Sequence, residues 1–182
     1  MKLTILGSGT CAVTQRRSCS SYCVQTDEVS FLLDCGFGTL RRLTEAGIDY
    51  RELDAVFCTH HHLDHFGDLP PLLMALRWTP GFERKKPLTL VGPPGFRELL
   101  YRSRDAYGEW LLPENLYDIR IRELDKESIT LGDCQITAYP VLHSGYSNGY
   151  RVEHNHHVLA YSGDTGPSEL VPRVLEKADI AL

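Results

Sequence analysis

The feature that most constrains the fold of this 182-residue chain is a short apolar run that ends in a cluster of histidines. The run Ala55–Thr59 is followed at positions 60–65 by His-His-His-Leu-Asp-His. A buried strand has little structural reason to end in imidazoles and a carboxylate, but these side chains are the ligands of zinc and related ions. The segment therefore predicts a metal site at the end of a strand, where α/β proteins place their chemistry.

The spacing within this segment indicates two ions. His60 and His62 are expected to point the same way, because side chains alternate along an extended segment. Asp64 and His65 then fall on the following turn, where they can face a second ion. The alternative is a histidine-rich surface loop, which the position directly after an apolar run disfavours, and an expression tag is excluded by the internal position.

Composition and net charge limit the classes of protein to which the chain can belong. The length fits one domain, residues 1–182, with 42% hydrophobic and 24% charged residues. No apolar run has the length of a membrane span, and the chain starts with a strand pattern rather than a signal peptide, so no membrane contact and a cytoplasmic location are expected. The net charge of −5 argues against a protein that coats nucleic acid. Six cysteines form no Cys-x-x-Cys pair; Cys11, Cys19 and Cys23 are interpreted as reduced thiols, with metal binding as the alternative.

Strand patterns alternate with helical ones along the whole chain. Strands are predicted over residues 1–6, 21–26, 29–34, 54–59, 88–91, from 119 to about 124, 128–131, 134–141, 149–153 and 158–162. Helices are predicted over residues 39–46, from an N-cap at Asp68 through Leu76, over 96–107 and over 168–178. Residues 179–182 resemble the start of another buried strand. This mixture predicts an α/β protein with mixed sheets sandwiched by helices.

A dinucleotide-binding protein is the main alternative class. Gly7, Gly9 and Ala12 follow a strand with the spacing that opens a dinucleotide-binding fingerprint. That fingerprint needs a helix next, but residues 14–21 are rich in serine and arginine and have no apolar stripe. The pattern therefore argues against an NAD-binding oxidoreductase.

Several motifs, in a fixed order, resemble those of the metallo-β-lactamase superfamily, in its ribonuclease Z-like branch. The matching segments are Leu3–Thr10, Leu32–Gly36 with Gly38 and Thr39, Leu53–Val56, Thr59–His65, Val141–His143 and Ala160–Thr165. The resemblance implies a four-layer αββα sandwich that is C-terminally shortened. All eight histidines lie at or before His157, so none can fill the role of the last metal-binding histidine of the family. Either the chain is a truncated form or its second metal site is incomplete, and the family's usual proton donor is expected in the missing C-terminal part.

The resemblance also implies the roles of six residues. His60, His62 and His143 would hold one ion. Asp64 and His65 would hold the other, and Asp164 would bridge both, with Asp64 and Asp164 acting in catalysis. The ions would be two divalent metals, Zn²⁺ first, with Mn²⁺ or Fe as alternatives.

The roles of these and other residues can also be assessed from the sequence around them. His143 and Asp164 each follow an apolar strand, although Asp164 could instead cap a turn. Asp34 is a candidate for holding a ligand imidazole in its tautomer, and a turn-forming role before Cys35 stays equally open. His61 is interpreted as a bystander. His154, His156 and His157 are interpreted as a solvated turn, with a separate metal site as the alternative.

The function that this resemblance implies is a metal-dependent hydrolase that uses a metal-bridging hydroxide. The most favoured activity is a phosphodiesterase or nuclease acting on RNA or on small or cyclic phosphodiesters, and no long glycine-rich basic insertion for gripping tRNA is found. His62 stands where a redox di-iron branch has Glu. The alternatives are a lactone or thioester hydrolase of the same fold, or a truncated metal-binding protein without turnover. A homodimer is a further expectation.

Overall fold

The computed structural model describes residues 1–12 and 14–182, which form eleven strands and five α-helices. The strands are β1 (Lys2–Gly7), β2 (Ser21–Gln25), β3 (Ser30–Leu33), β4 (Ala55–Phe57), β5 (Leu88–Gly92), β6 (Ile119–Glu123), β7 (Ser128–Leu131), β8 (Cys134–Pro140), β9 (Asn148–His154), β10 (His157–Tyr161) and β11 (Ile180–Ala181). The helices are α1 (Thr39–Glu45), α2 (Leu63–Phe66), α3 (Leu69–Trp78), α4 (Phe96–Tyr107) and α5 (Val171–Leu175). Among these residues, no helix has the length and apolar character needed to cross a membrane.

The strands form two mixed sheets. The first has the order β1-β2-β3-β4-β5-β6, in which β1, β2 and β3 are antiparallel and β3 to β6 are parallel. The second has the order β11-β10-β9-β8-β7, in which only the β10–β11 pair is parallel. The central strand β4 is buried at every position, as expected for a parallel strand that is covered on both faces.

The alternation of side chains along the central strands assigns them to two layers of core. Leu32 and Val56 pack toward α1, α3 and α4, whereas Leu33 and Phe57 pack toward the second sheet. On the far side of the second sheet, Val174 of α5 packs against Val141 and Ala160. The order is therefore helices, sheet, sheet, helix, which confirms the predicted four-layer αββα arrangement.

The predicted strands and α4 agree closely with the structure, whereas two predictions for the C-terminal segment were wrong and one short helix was missed. The helix predicted over 168–178 is only Val171–Leu175, preceded by a turn. Residues 179–182 do contain a strand, but it is not buried: β11 pairs with β10 at the end of the sheet and Ile180 is 45% exposed. The short helix α2, which carries Asp64 and His65, was not predicted.

Asp68 lies at the N-cap position of α3, as predicted, but its side chain does not cap that helix. Its Oδ2 instead accepts a hydrogen bond of 3.0 Å from the backbone N–H of Leu40, in the first turn of α1. One of the free N–H groups at the start of α1 is therefore satisfied by a side chain from another helix. This contact fixes α1 against the loop that follows the histidine motif.

Candidate metal centre

The side chains predicted as ligands follow the carboxyl ends of strands from both sheets. β4 leads into His60 and His62, and then into the short helix α2. In the second sheet, β8 precedes His143 and β10 precedes Asp164. Because the two sheets are stacked, these strand ends meet at one edge of the sandwich. The structure thus brings together side chains that are far apart in the sequence.

His60 lies at the centre of the cluster and is 1% exposed. Its ring centroid is 4.3 Å from that of His65, 4.6 Å from that of His143 and 4.7 Å from that of His62. Its Nδ1 lies 3.0 Å from Thr59 Oγ1, whereas its Nε2 is buried and has no hydrogen-bond partner among the described residues. A buried unpaired nitrogen costs free energy, so an acceptor atom aimed into a cluster of histidines fits a metal ligand.

Two groups of ligand atoms share His60. Those of His60, His62 and His143 lie within 4.8 Å of one another, and so do those of His60, His65 and Asp164. Asp64 is not a member of either group, although its Oδ2 is 3.7 Å from His65 Nε2. The first group contains the three residues that the resemblance assigns to one ion.

The carboxylate of Asp164 spans the two groups. Its Oδ1 is 3.3 Å from His65 Nε2, and its Oδ2 is 3.9 Å from His143 Nε2. One oxygen therefore faces each group, which is the arrangement that a bridging carboxylate requires. His62 completes the first group, with Nδ1 3.3 Å from His143 Nε2 and Nε2 3.1 Å from Ser144 Oγ.

Asp34, fully buried, connects the cluster to the fold. Its Oδ1 accepts from the Thr59 backbone N–H at 2.7 Å. Its Oδ2 accepts from Thr59 Oγ1 at 2.9 Å, and lies 2.5 Å from both His65 Nδ1 and the Tyr161 hydroxyl. Asp34 thus holds the Nδ1–H tautomer of His65 and leaves Nε2 as the candidate ligand atom. Asp34 was interpreted either as a turn residue or as a residue that orients a ligand imidazole, and these contacts favour the second interpretation.

The Thr59 hydroxyl links Asp34 to His60 through two hydrogen bonds. Its hydroxyl hydrogen is donated to Asp34, so Oγ1 can accept a hydrogen bond from His60 Nδ1–H. The lone pair of His60 is then on Nε2, the unpaired atom that faces the cluster. Asp34 therefore determines the tautomers of two histidines, one directly and one through Thr59.

The protonation of His60 fits metal binding, whereas that of His65 reflects its acidic neighbours. Burial, together with the neighbouring histidines, lowers the pKa of His60 to about 3, so that its ring is neutral near pH 7. Burial by itself would lower the pKa of His65, but its hydrogen bond to Asp34 and the charges of Asp34, Asp164 and Asp64 outweigh burial and raise that pKa. The acidic neighbours of His65 therefore favour its protonated form, and an ion that binds Nε2 would have to displace that proton.

Two glycines allow the loops of the site to pass close to Asp64 and Thr59. A Cβ on Gly36 would lie 1.9 Å from the backbone oxygen of Asp64, so no larger residue fits beside α2. Gly163 has a positive φ of 59°, and a Cβ there would lie 2.8 Å from Thr59 Cγ2. The loop that carries Asp164 therefore passes directly over Thr59.

The other histidines and the cysteines lie outside the cluster. His61 stacks on Phe96, with ring centroids 6.1 Å apart, rather than entering either group. Within residues 1–12 and 14–182, neither ligand group includes a cysteine. The prediction of a solvated turn was wrong for His154, because it is buried at the end of β9 with Nε2 2.8 Å from Asp133 Oδ2.

Three residues of the site were given no role from the sequence. Thr59 and Tyr161 lie within motifs that were recognised, and Ser144 directly follows one. In the structure, Thr59 and Tyr161 donate hydrogen bonds to Asp34, and Ser144 contacts His62. The available signal was position: each is directly adjacent to, or within three residues of, a predicted ligand.

Comparison with known proteins identifies the family. The family model described as "Beta-lactamase superfamily domain" matches residues 30–182. The chain belongs to the metallo-β-lactamase superfamily. Membership implies binding of divalent metal, and the donors around His60 fit that requirement.

Relatives within this superfamily confirm the resemblance to the ribonuclease Z-like branch. The ribonuclease Z of Mycobacterium sp. (strain KMS) is 30% identical over 181 residues. This alignment covers 92% of the present chain, which spans 62% of the length of that relative.

Solved structures of the superfamily confirm the fold. The metallo-β-lactamase fold protein YhfI from Bacillus subtilis aligns with a TM-score of 0.82 at 23% identity, covering 98% of this chain and 69% of that one. The short form of human tRNase Z aligns with a TM-score of 0.78 at 23% identity, covering 100% of this chain and 76% of that one.

Proposed function

We propose that this metallo-β-lactamase superfamily chain binds two divalent ions and hydrolyses phosphodiester bonds, either in RNA or in small or cyclic substrates. His60, His62 and His143 would hold one ion, and Asp64 and His65 the other, with Asp164 between them. Zn²⁺ is the first choice, and Mn²⁺ and Fe suit the same donors.

The observation that carries this proposal is the position of Asp164 between two groups of histidines that share His60. A pair of ions bridged by a carboxylate suits in-line displacement at phosphorus, because both the attacking and the leaving oxygen can be stabilised. The similarity to a ribonuclease Z supports a phosphodiester over other esters.

The ions, when bound, would lower the pKa of water to about 7 and so supply hydroxide at neutral pH. The protein's own contribution is orientation. Asp34 keeps a proton on His65 Nδ1, and Thr59 keeps one on His60 Nδ1, so both Nε2 atoms stay available. Ser144, 3.1 Å from His62 Nε2, is exposed and lines a cavity together with His62, where it would contact a substrate.

The test compares reaction classes on the purified chain, together with its metal content. We expect close to two ions per chain and hydrolysis of bis(p-nitrophenyl) phosphate, with little cleavage of a lactone. Asp164→Asn should lower phosphodiester hydrolysis at least a hundredfold, whereas Asp105→Asn, at an exposed position in α4, should not change it.

Three results would contradict the proposal. Cleavage of the lactone without the phosphodiester would favour the lactone or thioester alternative. Two bound ions without hydrolysis of either substrate would favour metal binding without turnover. One ion or none would contradict the binuclear site.

A further inference from the structure

Two neighbouring cavities extend from the candidate metal centre. The first, about 490 Å³, is lined by His62 and Ser144 of the site and by the ion pair of Glu98 and Arg102. The second, about 470 Å³, lies beside it. His61 and Leu99 line both cavities and form the wall between them. A continuous surface thus leads from a proposed ligand into the second cavity.

The second cavity also begins at the metal-binding motif itself. Leu63 lies in the sequence between the proposed ligands His62 and Asp64, is 61% exposed, and lines this cavity. Phe66, one turn further along α2, lines it as well. A group that occupies this cavity would therefore lie beside the segment that carries His62 and Asp64.

The chemistry of the second cavity differs from that of the first. Among the described residues that line it, none is Asp, Glu, Lys or Arg. Its walls include the aromatic rings of Phe37, Tyr107 and Trp110. Such a lining favours a flat, uncharged group over a sugar or a phosphate.

The aromatic wall is held in place. Trp110 packs on Trp78, with ring centroids 5.5 Å apart, and its Nε1–H donates a hydrogen bond to the backbone oxygen of Tyr107. A fixed ring loses little freedom when a second flat ring stacks on it. Tyr107, Ser103 and His61 also bring polar groups to a lining that is mostly apolar, and these suit the polar edge of a base better than an alkyl chain.

We propose that the second cavity binds a nucleobase adjacent to the scissile phosphodiester, an inference that rests on the proposed function. The phosphate would lie at the metal centre, and the base would pass Leu63 and stack on the aromatic wall. Because stacking uses the face that every base has, little discrimination among the four bases is expected.

The first experiment measures base binding without hydrolysis. The chain has two tryptophans, so Trp78→Phe leaves Trp110, which lines the cavity, as the only indole reporter. In metal-free protein, AMP should quench its fluorescence saturably, whereas ribose 5-phosphate, which lacks the base, should not. Met74→Lys, which places a charge in the cavity, should raise the dissociation constant for AMP about tenfold.

Leu116→Lys is the matched control. Met74 and Leu116 have nearly the same exposure, 49% and 48%, but Leu116 does not line the cavity. The control should bind AMP as the parent protein does. Equal quenching by AMP and ribose 5-phosphate, or equal effects of the two lysine variants, would overturn the proposal.

The second experiment separates this inference from the proposed function. Thymidine 5′-(p-nitrophenyl phosphate) and methyl p-nitrophenyl phosphate have the same leaving group, but only the first carries a base. With metal bound, Met74→Lys should lower kcat/KM about tenfold more for the thymidine ester than for the methyl ester. An equal loss for both esters would overturn the base site and leave the hydrolase standing. Quenching by AMP that depends on Met74, without hydrolysis of either ester, would keep the base-binding cavity and overturn the proposed function.

Discussion

Replacing Asp34 by asparagine should weaken both the fold and the metal site, although Asp34 is not a proposed ligand. The carboxylate is fully buried and has four donors around it: Thr59 N–H, Thr59 Oγ1, His65 Nδ1 and the Tyr161 hydroxyl. Three of them meet at Oδ2 and one at Oδ1. An asparagine has one oxygen and one NH₂ group, so it cannot accept at both positions.

The expected loss in the free energy of unfolding follows from the number of hydrogen bonds that change. If the amide oxygen takes the Oδ2 position, three hydrogen bonds remain but each loses a charged acceptor, a loss of about 1 kcal/mol each. The NH₂ group then faces the buried N–H of Thr59, which costs about 1–3 kcal/mol for an unsatisfied donor. The lower desolvation cost of a neutral side chain offsets part of this sum. We expect a decrease of about 3 kcal/mol in the free energy of unfolding.

The assay is urea unfolding of the metal-free protein, followed by circular dichroism, with metal affinity measured separately. A loss of about 3 kcal/mol shifts the urea midpoint by roughly 1–2 M. Metal affinity should fall about 10- to 100-fold, because His65 and Thr59 lose the group that orients them. Tyr161→Phe, which removes one donor of the four, is the control and should cost about 1 kcal/mol. An Asp34→Asn variant as stable as the parent, with unchanged metal affinity, would refute the assigned role of Asp34.

Three further predictions follow from the site. His60→Ala should reduce the metal content from about two ions to about one or fewer, because His60 is a proposed ligand of one ion and lies in both groups of ligand atoms. His156→Ala, in the exposed turn after β9, should leave the metal content unchanged. Elemental analysis measures both, and retention of two ions by His60→Ala would contradict the assignment. Gly163→Ala should lower the free energy of unfolding by about 1 kcal/mol more than Gly145→Ala. Both glycines have a positive φ, but only a Cβ at Gly163 meets Thr59, so equal losses in urea unfolding would show that the loop can move away. When free metal is at about 100 times its dissociation constant, adding a chelator to the metal-loaded protein should lower the free energy of unfolding by about 2.7 kcal/mol. The Asp164→Asn variant should show a smaller loss. An unchanged melting temperature after chelation would mean that the folded chain does not bind the metal.

The sequence predicted those elements whose pattern is local. The strand before His60 and the helix over 96–107 were found because apolar runs and helical spacing are properties of neighbouring residues. α5 was predicted three residues too long at each end. At its C-terminal end, Arg151 Nη1 from β9 donates to the backbone oxygen of Glu176, a contact between distant residues that the local pattern does not contain. His154 was misread for the same reason, since its partner Asp133 is 21 residues away.

The proposed ligands and Asp34 differ in how far their roles can be predicted from the sequence. A ligand can be recognised from its type and its place after a strand, whereas Asp34 before Cys35 and Gly36 looks equally like a turn residue. Its partners Thr59, His65 and Tyr161 are 25, 31 and 127 residues away, and only the stacking of the two sheets brings the last one to it. Because one carboxylate binds the end of β4, the helix α2 and the end of β10, the contacts that close this edge of the sandwich also orient His60 and His65. The geometry of the proposed ligands is therefore a consequence of folding, and we expect metal binding to stabilise the chain without rearranging these loops.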